Sequence, residues 1–305
     1  MARSHLTLAA LATAAVAGLD VASASGIGSG AHSDFESALL PTRDGSHWII
    51  RVPTSERAEA EQSADLVALR ALSTGVRARL PFAASKFAGQ TPISGTRAVV
   101  YDFVYGSPLD LAGIANGSPL APALGRAIAA IHTLPTSFVA DAGLPVLSPA
   151  EILQSTITVM DRASATNLVP AALLGRWEKA TEDGPLWQFA PAVINGGLSA
   201  DSFLTSDETV TGLLGWQSLS VGDPARDLYW LLSARGEHVA EAVFDAYIEA
   251  RGSSDRQIKR RAMLYAELEI AKWLLHGTQE RSTQIVDDAV QMLHGLVDTV
   301  KHDLD

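Results

Sequence analysis

The chain has 305 residues, of which 47% are hydrophobic and 19% charged, with a net charge of −11 and no cysteine. That length fills more than one core, since single cores stop growing at roughly 250–300 residues, and the composition is too apolar for a disordered chain. The missing cysteines exclude disulfide frameworks, cysteine zinc sites and thiol nucleophiles, while the acidic balance disfavours nucleic acid and suits a cationic small molecule.

Residues 1–25 carry the marks of a secretory signal: Arg3, an apolar run over 6–19, and Ala22-Ser23-Ala24 as an A-x-A cleavage pattern. The run is too short for a membrane span, which needs about 20 apolar residues. The same residues also read as an amphipathic helix over 6–17 and a strand over 19–25, with Asp20 at the turn. Gly26-Ile27-Gly28-Ser29-Gly30 follows, too flexible for the interior of an element. β-rich runs at 35–40 and 48–52 flank Thr42-Arg43-Asp44-Gly45, whose Asp-Gly pair signals a hairpin. Leu66, Leu69 and Leu72 give helical spacing to 56–72, and a second strand pair spans 87–93 and 97–104.

Past Tyr105-Gly106-Ser107-Pro108 helices dominate, predicted over 120–134, 149–163, 171–182, 224–234, 239–250, 256–275 and 283–300. Ser148-Pro149-Ala150-Glu151 is an S-x-x-E capping box with proline at the first helical position. Short strands are expected at 192–195, 203–205 and 209–214. Residues 1–104 thus read as a β-rich part with one crossing helix and 105–305 as a helical part with a hairpin insert, an α+β arrangement.

The informative stretch is Val193-Ile194-Asn195-Gly196-Gly197-Leu198-Ser199-Ala200-Asp201-Ser202-Phe203-Leu204, followed by Leu213-Leu214-Gly215-Trp216 and Gly222-Asp223-Pro224-Ala225-Arg226-Asp227. It resembles the aminoglycoside and macrolide phosphotransferases, whose pattern runs H-G-D-x-x-x-x-N, then I-D-W, then G-D-P-A-x-D. Trp48-Ile49-Ile50-Arg51-Val52-Pro53, Arg79-Leu80-Pro81-Phe82, Ile131-His132-Thr133-Leu134-Pro135 and Arg176-Trp177-Glu178 are most similar to the macrolide 2′-phosphotransferases. The resemblance covers nearly the whole chain in order. It implies a bilobal protein-kinase-like fold: a small antiparallel β-rich N-lobe (1–104), and a larger helical C-lobe (105–305) holding a catalytic loop at 193–204 and a metal loop at 213–228. It also implies that residues 6–25 supply the first helix and strand. Cleavage after Ala24 would remove them, so a cytoplasmic chain is expected.

The sequence departs from that pattern where chemistry is done. Such enzymes use a loop Asp as the base for the acceptor hydroxyl, a metal-binding Asn or His five residues on, and a metal-binding Asp at the I-D-W site. Here those positions hold Gly197, Ser202 and Gly215, and Asn195 replaces the opening His. Phosphoryl transfer depends on positioning and on Mg²⁺ neutralising charge. A positioned base contributes about 10²–10⁴ in rate, and Mg²⁺ is normally held by carboxylates. A solvated Asp201 offers a substitute only if it swings in. Asp223 and Asp227 are explained as an N-cap before Pro224 and a partner on the next turn; the resemblance also gives Asp223 the task of steadying the catalytic loop.

For a nucleotide, Gly26, Gly28 and Gly30 read equally as a phosphate-covering loop or as a plain flexible one. Arg51 stands where the resemblance places a phosphate-contacting cation. It pairs on this reading with Glu61 or Asp65, which share a helix face, or makes only an exposed ion pair. The segment 102–105 is where backbone groups would meet an adenine. His132 follows an apolar helix face and reads as a core or cap residue. Tyr229, Trp230, Tyr265 and Trp273 fall on helices that line the acceptor pocket in this family, though aromatics at helical spacing also suit a core; Glu267 and Glu269 beside them would favour a cationic amino-sugar. Eight scattered histidines without an H-x-x-x-H pair imply no metal site, and no G-x-S-x-G elbow occurs.

The expectation is therefore a catalytically impaired, pseudokinase-like member that binds a small molecule or partner, with ATP as the implied nucleotide and the missing carboxylates speaking against Mg²⁺. The alternative is an active ATP-dependent phosphotransferase acting on a hydroxyl of a macrolide, aminoglycoside or other small molecule. No nucleic-acid or membrane partner is expected.

Overall fold

The structure is a computed structural model that describes residues 3–27, 34–234, 238–252 and 255–302. The chain separates into two units, one made of 1–110, 140–144 and 200–219, the other of 111–139, 145–199 and 220–305.

In the first unit, Ser4 caps helix α1 (His5–Ala15) by accepting the Thr7 N–H. Its Leu8 and Ala12 are buried with Ala38, Leu40, Ile50, Val52, Ala98 and Val100 of the sheet. Burying a leucine contributes about 1.5–3 kcal/mol, so the signal-like segment is part of this core. At Gly89 a Cβ would lie 2.2 Å from the Ala15 carbonyl oxygen, so only glycine lets the end of α1 sit down on the sheet. The first strand is shorter and later than predicted: β1 (Ser25–Ile27) pairs with 37–39, while Val21 makes a lone bridge to Thr42. Gly26 lies inside β1, opposite Ala38, rather than in a free loop.

Strands β2 (Phe35–Pro41) and β3 (His47–Pro53) form the Asp-Gly hairpin. The Asp44 carboxylate accepts bonds from Thr42 and from the Ser46 N–H and hydroxyl, which hold it down at about 2. Helix α2 (Glu56–Ala71) starts on Ser55, and α3 (Thr74–Arg77) follows. Arg77 gives its guanidinium to the carbonyls of Leu69, Leu72 and Ala84, tying the end of α2 to strand β4 (Ala83–Ala84). Strands β5 (Phe87–Ile93) and β6 (Thr96–Asp102) complete a sheet of order β1-β2-β3-β6-β5.

Strand β7 (Ser107–Pro108) begins a second sheet that draws on distant chain. The first unit takes from it β9 (Phe203–Ser206) and β10 (Thr209–Leu213), in the order β4-β10-β9-β7. The division at 104/105 therefore needs correction. Residues 200–219 go with the N-terminal part because β10 runs parallel to β4 and β9 pairs with β7.

The second unit holds α4 (Leu120–His132), most of α5 (Ser137–Asp141), α6 (Pro149–Ser164), α7 (Ala171–Glu182), α8 (Val239–Arg251), α9 (Ile258–Glu280) and α10 (Thr283–His302). α6 opens on the expected capping box, with Glu151 returning a bond to the Ser148 N–H at 2.8 Å. β8 (Ala192–Ile194) pairs with β11 (Ser220–Gly222), a strand the sequence did not announce. Residues 224–234, predicted as an α-helix, are two 3₁₀ turns, Pro224–Asp227 and Tyr229–Ser233. Among the described residues no helix is long and apolar enough to cross a membrane.

Candidate functional site

In the second unit β8 delivers the chain to Asn195, and the loop there is anchored from below. Asp227 accepts the N–H of Asn195 at 2.7 Å and of Gly196 at 2.8 Å. It also faces His132 Nε2 at 3.1 Å, while His132 Nδ1 lies 2.8 Å from the Tyr247 hydroxyl. With Nε2–H donating to the carboxylate and Nδ1 accepting from Tyr247, a neutral imidazole satisfies both contacts. Burial depresses the pKa of His132 below its ordinary value, against the opposing pull of Asp227. Thus His132 is a buried hydrogen-bonding residue, as its position suggested.

Asp223 has different partners. It caps its own turn through the Ala225 N–H at 2.9 Å and receives Arg261 at 2.7 and 3.1 Å and the Tyr265 hydroxyl at 2.8 Å. Arg261 is fully buried and also bonds Asp255 at 2.6 Å. The loop-steadying task assigned to Asp223 therefore belongs to Asp227, because it is Asp227 that meets the loop N–H groups. Gly197, where the resemblance leads one to expect a base, turns its N–H onto Asn195 Oδ1 at 3.2 Å and presents only backbone.

In the first unit, Asp201 is exposed in the 3₁₀ turn Ala200–Ser202, and the Ser202 carbonyl accepts the Leu214 N–H at 2.8 Å. Gly215 has φ +74, the left-handed region that favours glycine. A Cβ built there would stand 3.2 Å from Gln217 Oε1, so the Gln217 carboxamide borders the space a side chain at 215 would enter. The next residue, Trp216, donates its N–H to Asp65 at 2.8 Å. Burial raises the pKa of Asp65, while that bond and the charges of Arg51 and Arg77 lower it.

The expected partnership of Arg51 is not formed. Its guanidinium lies over the Phe35 ring at 3.9 Å. Glu61 pairs instead with Arg57 one turn away at 3.0 Å, and Asp65 is committed to Trp216. Gly28 and Gly30 lie outside the described residues. In 102–105 the N–H groups of Asp102 and Phe103 are already bonded to the Lys86 and His47 carbonyls.

Those residues do not fit a kinase-type Mg²⁺ site. Positions 197 and 215 offer no ligand, and no group of three His, Cys, Asp or Glu that could hold a metal occurs among the described residues. Of the aromatic candidates, Trp230 and Tyr265 are buried, bonded to the Asp227 carbonyl and to Asp223. Trp273 is at the surface, stacked on His276 and bonded to Asp288. Glu267 is occupied by Trp177 Nε1 and Arg176, each at 2.8 Å, and Glu269 by Lys272. Sequence reasoning gave no role to Tyr247, Arg261 or Gln217; a polar His132 on an apolar face was a signal that a buried partner had to exist.

Comparison with known proteins fits these observations. The structure is similar to the macrolide 2′-phosphotransferase MphH from Brachybacterium faecium, with TM-score 0.77, 23% identity, and 95% of this chain and 98% of that one covered. It is also similar to aminoglycoside 2′-phosphotransferase-IIIa in its GDP complex, with TM-score 0.77, 21% identity and 96% and 98% covered. Both share its kinase-like α+β fold. An uncharacterized protein of Bacillus subtilis (strain 168), YcbJ, is 24% identical over 274 residues, 84% of this chain and 87% of that protein. Residues 23–264 match the model of the phosphotransferase enzyme family, the antibiotic-kinase group, and the chain belongs to that family.

Proposed function

We propose that this chain is a pseudokinase-like member of its family, a module that binds nucleotide and small molecule but carries out little or no phosphoryl transfer. The observation that carries the reading is the pair of bare positions. Gly197 gives the loop no carboxylate to take a proton from an acceptor hydroxyl, and Gly215 gives none to a metal. Phosphoryl transfer leaves a protein little to do beyond positioning and charge neutralisation, so losing both groups leaves little catalysis. Retention of a nucleotide is supported by Arg51, which among the described residues makes no ion pair and holds its charge over Phe35 for an anionic ligand. The nucleotide complex of a relative with the same fold points the same way. Binding on this reading needs no divalent metal.

The test is a thermal-shift titration with ATP, in Mg²⁺ and in chelator. A ligand at 100 times its Kd stabilises by about 2.7 kcal/mol, and equal shifts in both conditions are expected. No shift in either removes the nucleotide. A transfer assay with ATP and a macrolide and aminoglycoside panel is expected to stay at background; turnover abolished by Asp201→Ala would replace this reading with an active enzyme.

A further inference from the structure

The first unit contains a cavity of about 670 Å³ beside the second sheet, lined among others by Phe103, Tyr105, Ser107, Thr205, Asp207 and Thr211. Its size falls in the range of small-molecule pockets. Arg51, Asp65 and Gly215 are not among its walls, while Phe103 and Tyr105, from the segment expected to meet an adenine, are.

One wall is aromatic and fixed. The Tyr105 ring stands edge-on to Phe103 at 4.8 Å and to His47 at 5.7 Å, and its hydroxyl lies 2.9 Å from His47 Nδ1. A ring 60% exposed yet held by two neighbours, Phe103 and His47, is preorganised for a ligand. Three of the hydroxyls around the cavity are already committed as donors. Thr211 donates its hydroxyl proton to the Tyr105 carbonyl, Thr205 to the Ser107 carbonyl and Ser206 to Asp207, which leaves these oxygens as acceptors. Asp207 is the single carboxylate, and no Lys, Arg or His lines the cavity. The turn that presents it holds Asp207 at φ 48 and Glu208 at φ 59, a conformation in which Asp is among the tolerated residues.

Acceptors, one carboxylate, aromatic rings and no cation repel a phosphate and attract a positive charge. A ring face holds a cation within about 6 Å of its centroid, and a net charge of −11 draws cations toward the protein. We propose that this cavity binds a small organic ammonium ion, its charge shared between the Tyr105 ring and the Asp207 carboxylate. The proposal goes beyond the nucleotide reading and does not rest on it, although the two readings share residues 103–105.

The experiment is titration of the full chain with benzyltrimethylammonium, read by calorimetry, against benzyl alcohol as the neutral probe. Saturable millimolar or tighter binding of the ammonium is expected, with the alcohol at least about tenfold weaker. Asp207→Asn and Tyr105→Leu should each weaken it about tenfold or more, and Glu208→Gln should change it little. Asn is tolerated at positive φ, so Asp207→Asn should keep its fold, checked by its melting curve and by an unchanged response to ATP. Absence of saturable binding, equal affinity for both probes, or equal loss on changing Glu208 and Asp207 would each overturn the proposal.

Discussion

Around Asp223 and Asp227 all four carboxylate oxygens receive donors, from backbone, arginine, histidine and tyrosine, in fully buried surroundings. At 197 and 215, the positions that on the proposed reading would carry the other two carboxylates, glycine offers no side chain. The first pair ties distant segments together through these bonds; the second position pair offers no side chain to bond. Buried acids with several donors cannot be removed cheaply, because each orphaned partner costs free energy, whereas a reacting carboxylate contributes to rate and little to stability. On the proposed reading, a chain can therefore keep the brace of this loop without the carboxylates that would react there.

The largest break in that contrast is Arg261→Ala. It strands Asp223 and Asp255 without their cation, and removing one partner of a buried pair costs about 3–5 kcal/mol. The midpoint of urea unfolding should fall accordingly, and an unchanged midpoint would show that the brace does not hold the fold. Next comes Asp227→Ala, which removes the acceptor of the Asn195 and Gly196 N–H groups and of His132. Unsatisfied buried donors cost about 1–3 kcal/mol each. The loop amides of 195 and 196 should then exchange hydrogen faster, which a general loss of stability alone would not localise.

Much of this brace was legible in the sequence and its exact wiring was not. Asp223-Pro224 announced an N-cap, Asp44-Gly45 a hairpin and Ser148 with Glu151 a capping box, because each rests on neighbours a few residues apart. Residues 224–234 read as a helix, but Arg226, Leu228 and Leu231 donate to carbonyls three residues back while the side chains of Asp223 and Asp227 serve distant partners. Strands of two or three residues such as β4, β7 and β11 have too little length for an alternating pattern. For Arg51 the spacing offered Glu61 or Asp65 as partners, functional or merely an exposed ion pair, yet Arg57 on the same helix captures Glu61 and a backbone N–H captures Asp65. Such choices among equal partners are settled by tertiary geometry that spacing does not carry.

His132 sharpens the contrast through pH. Its pKa is lowered in the folded chain, so below about pH 6.5 the unfolded chain binds a proton that the folded chain refuses. Stability then falls as pH drops through that window, by at most about 1.4 kcal/mol per pH unit from this group. His132→Gln keeps an N–H for Asp227 and an oxygen for Tyr247 but cannot titrate. Its unfolding midpoint should change less than that of the parent chain between about pH 7.5 and 5.5, and parallel curves would mean that His132 is not the group responsible.

The smallest structural change is to place a carboxylate at the two glycines that the proposed reading makes decisive. Gly215→Asp places a side chain at φ +74, a region Asp tolerates better than most residues, at a cost of roughly 1 kcal/mol. Its Cβ meets only the end of the exposed Gln217 side chain, which can swing away. Gly197 is not in the left-handed region, so Gly197→Asp adds no backbone strain. The double variant should stay folded, with a modestly lower melting temperature, and its ATP-induced shift should become larger in Mg²⁺ than in chelator. Because Asp227 still holds the loop at 195 and 196, a carboxylate at 197 has a fixed base to stand on, and transfer to a hydroxyl acceptor should rise with both changes and not with Gly215→Asp alone, which binds metal but leaves the proton where it was. A double variant that binds ATP with Mg²⁺ and transfers nothing would place the missing element outside these two positions, in the acceptor site.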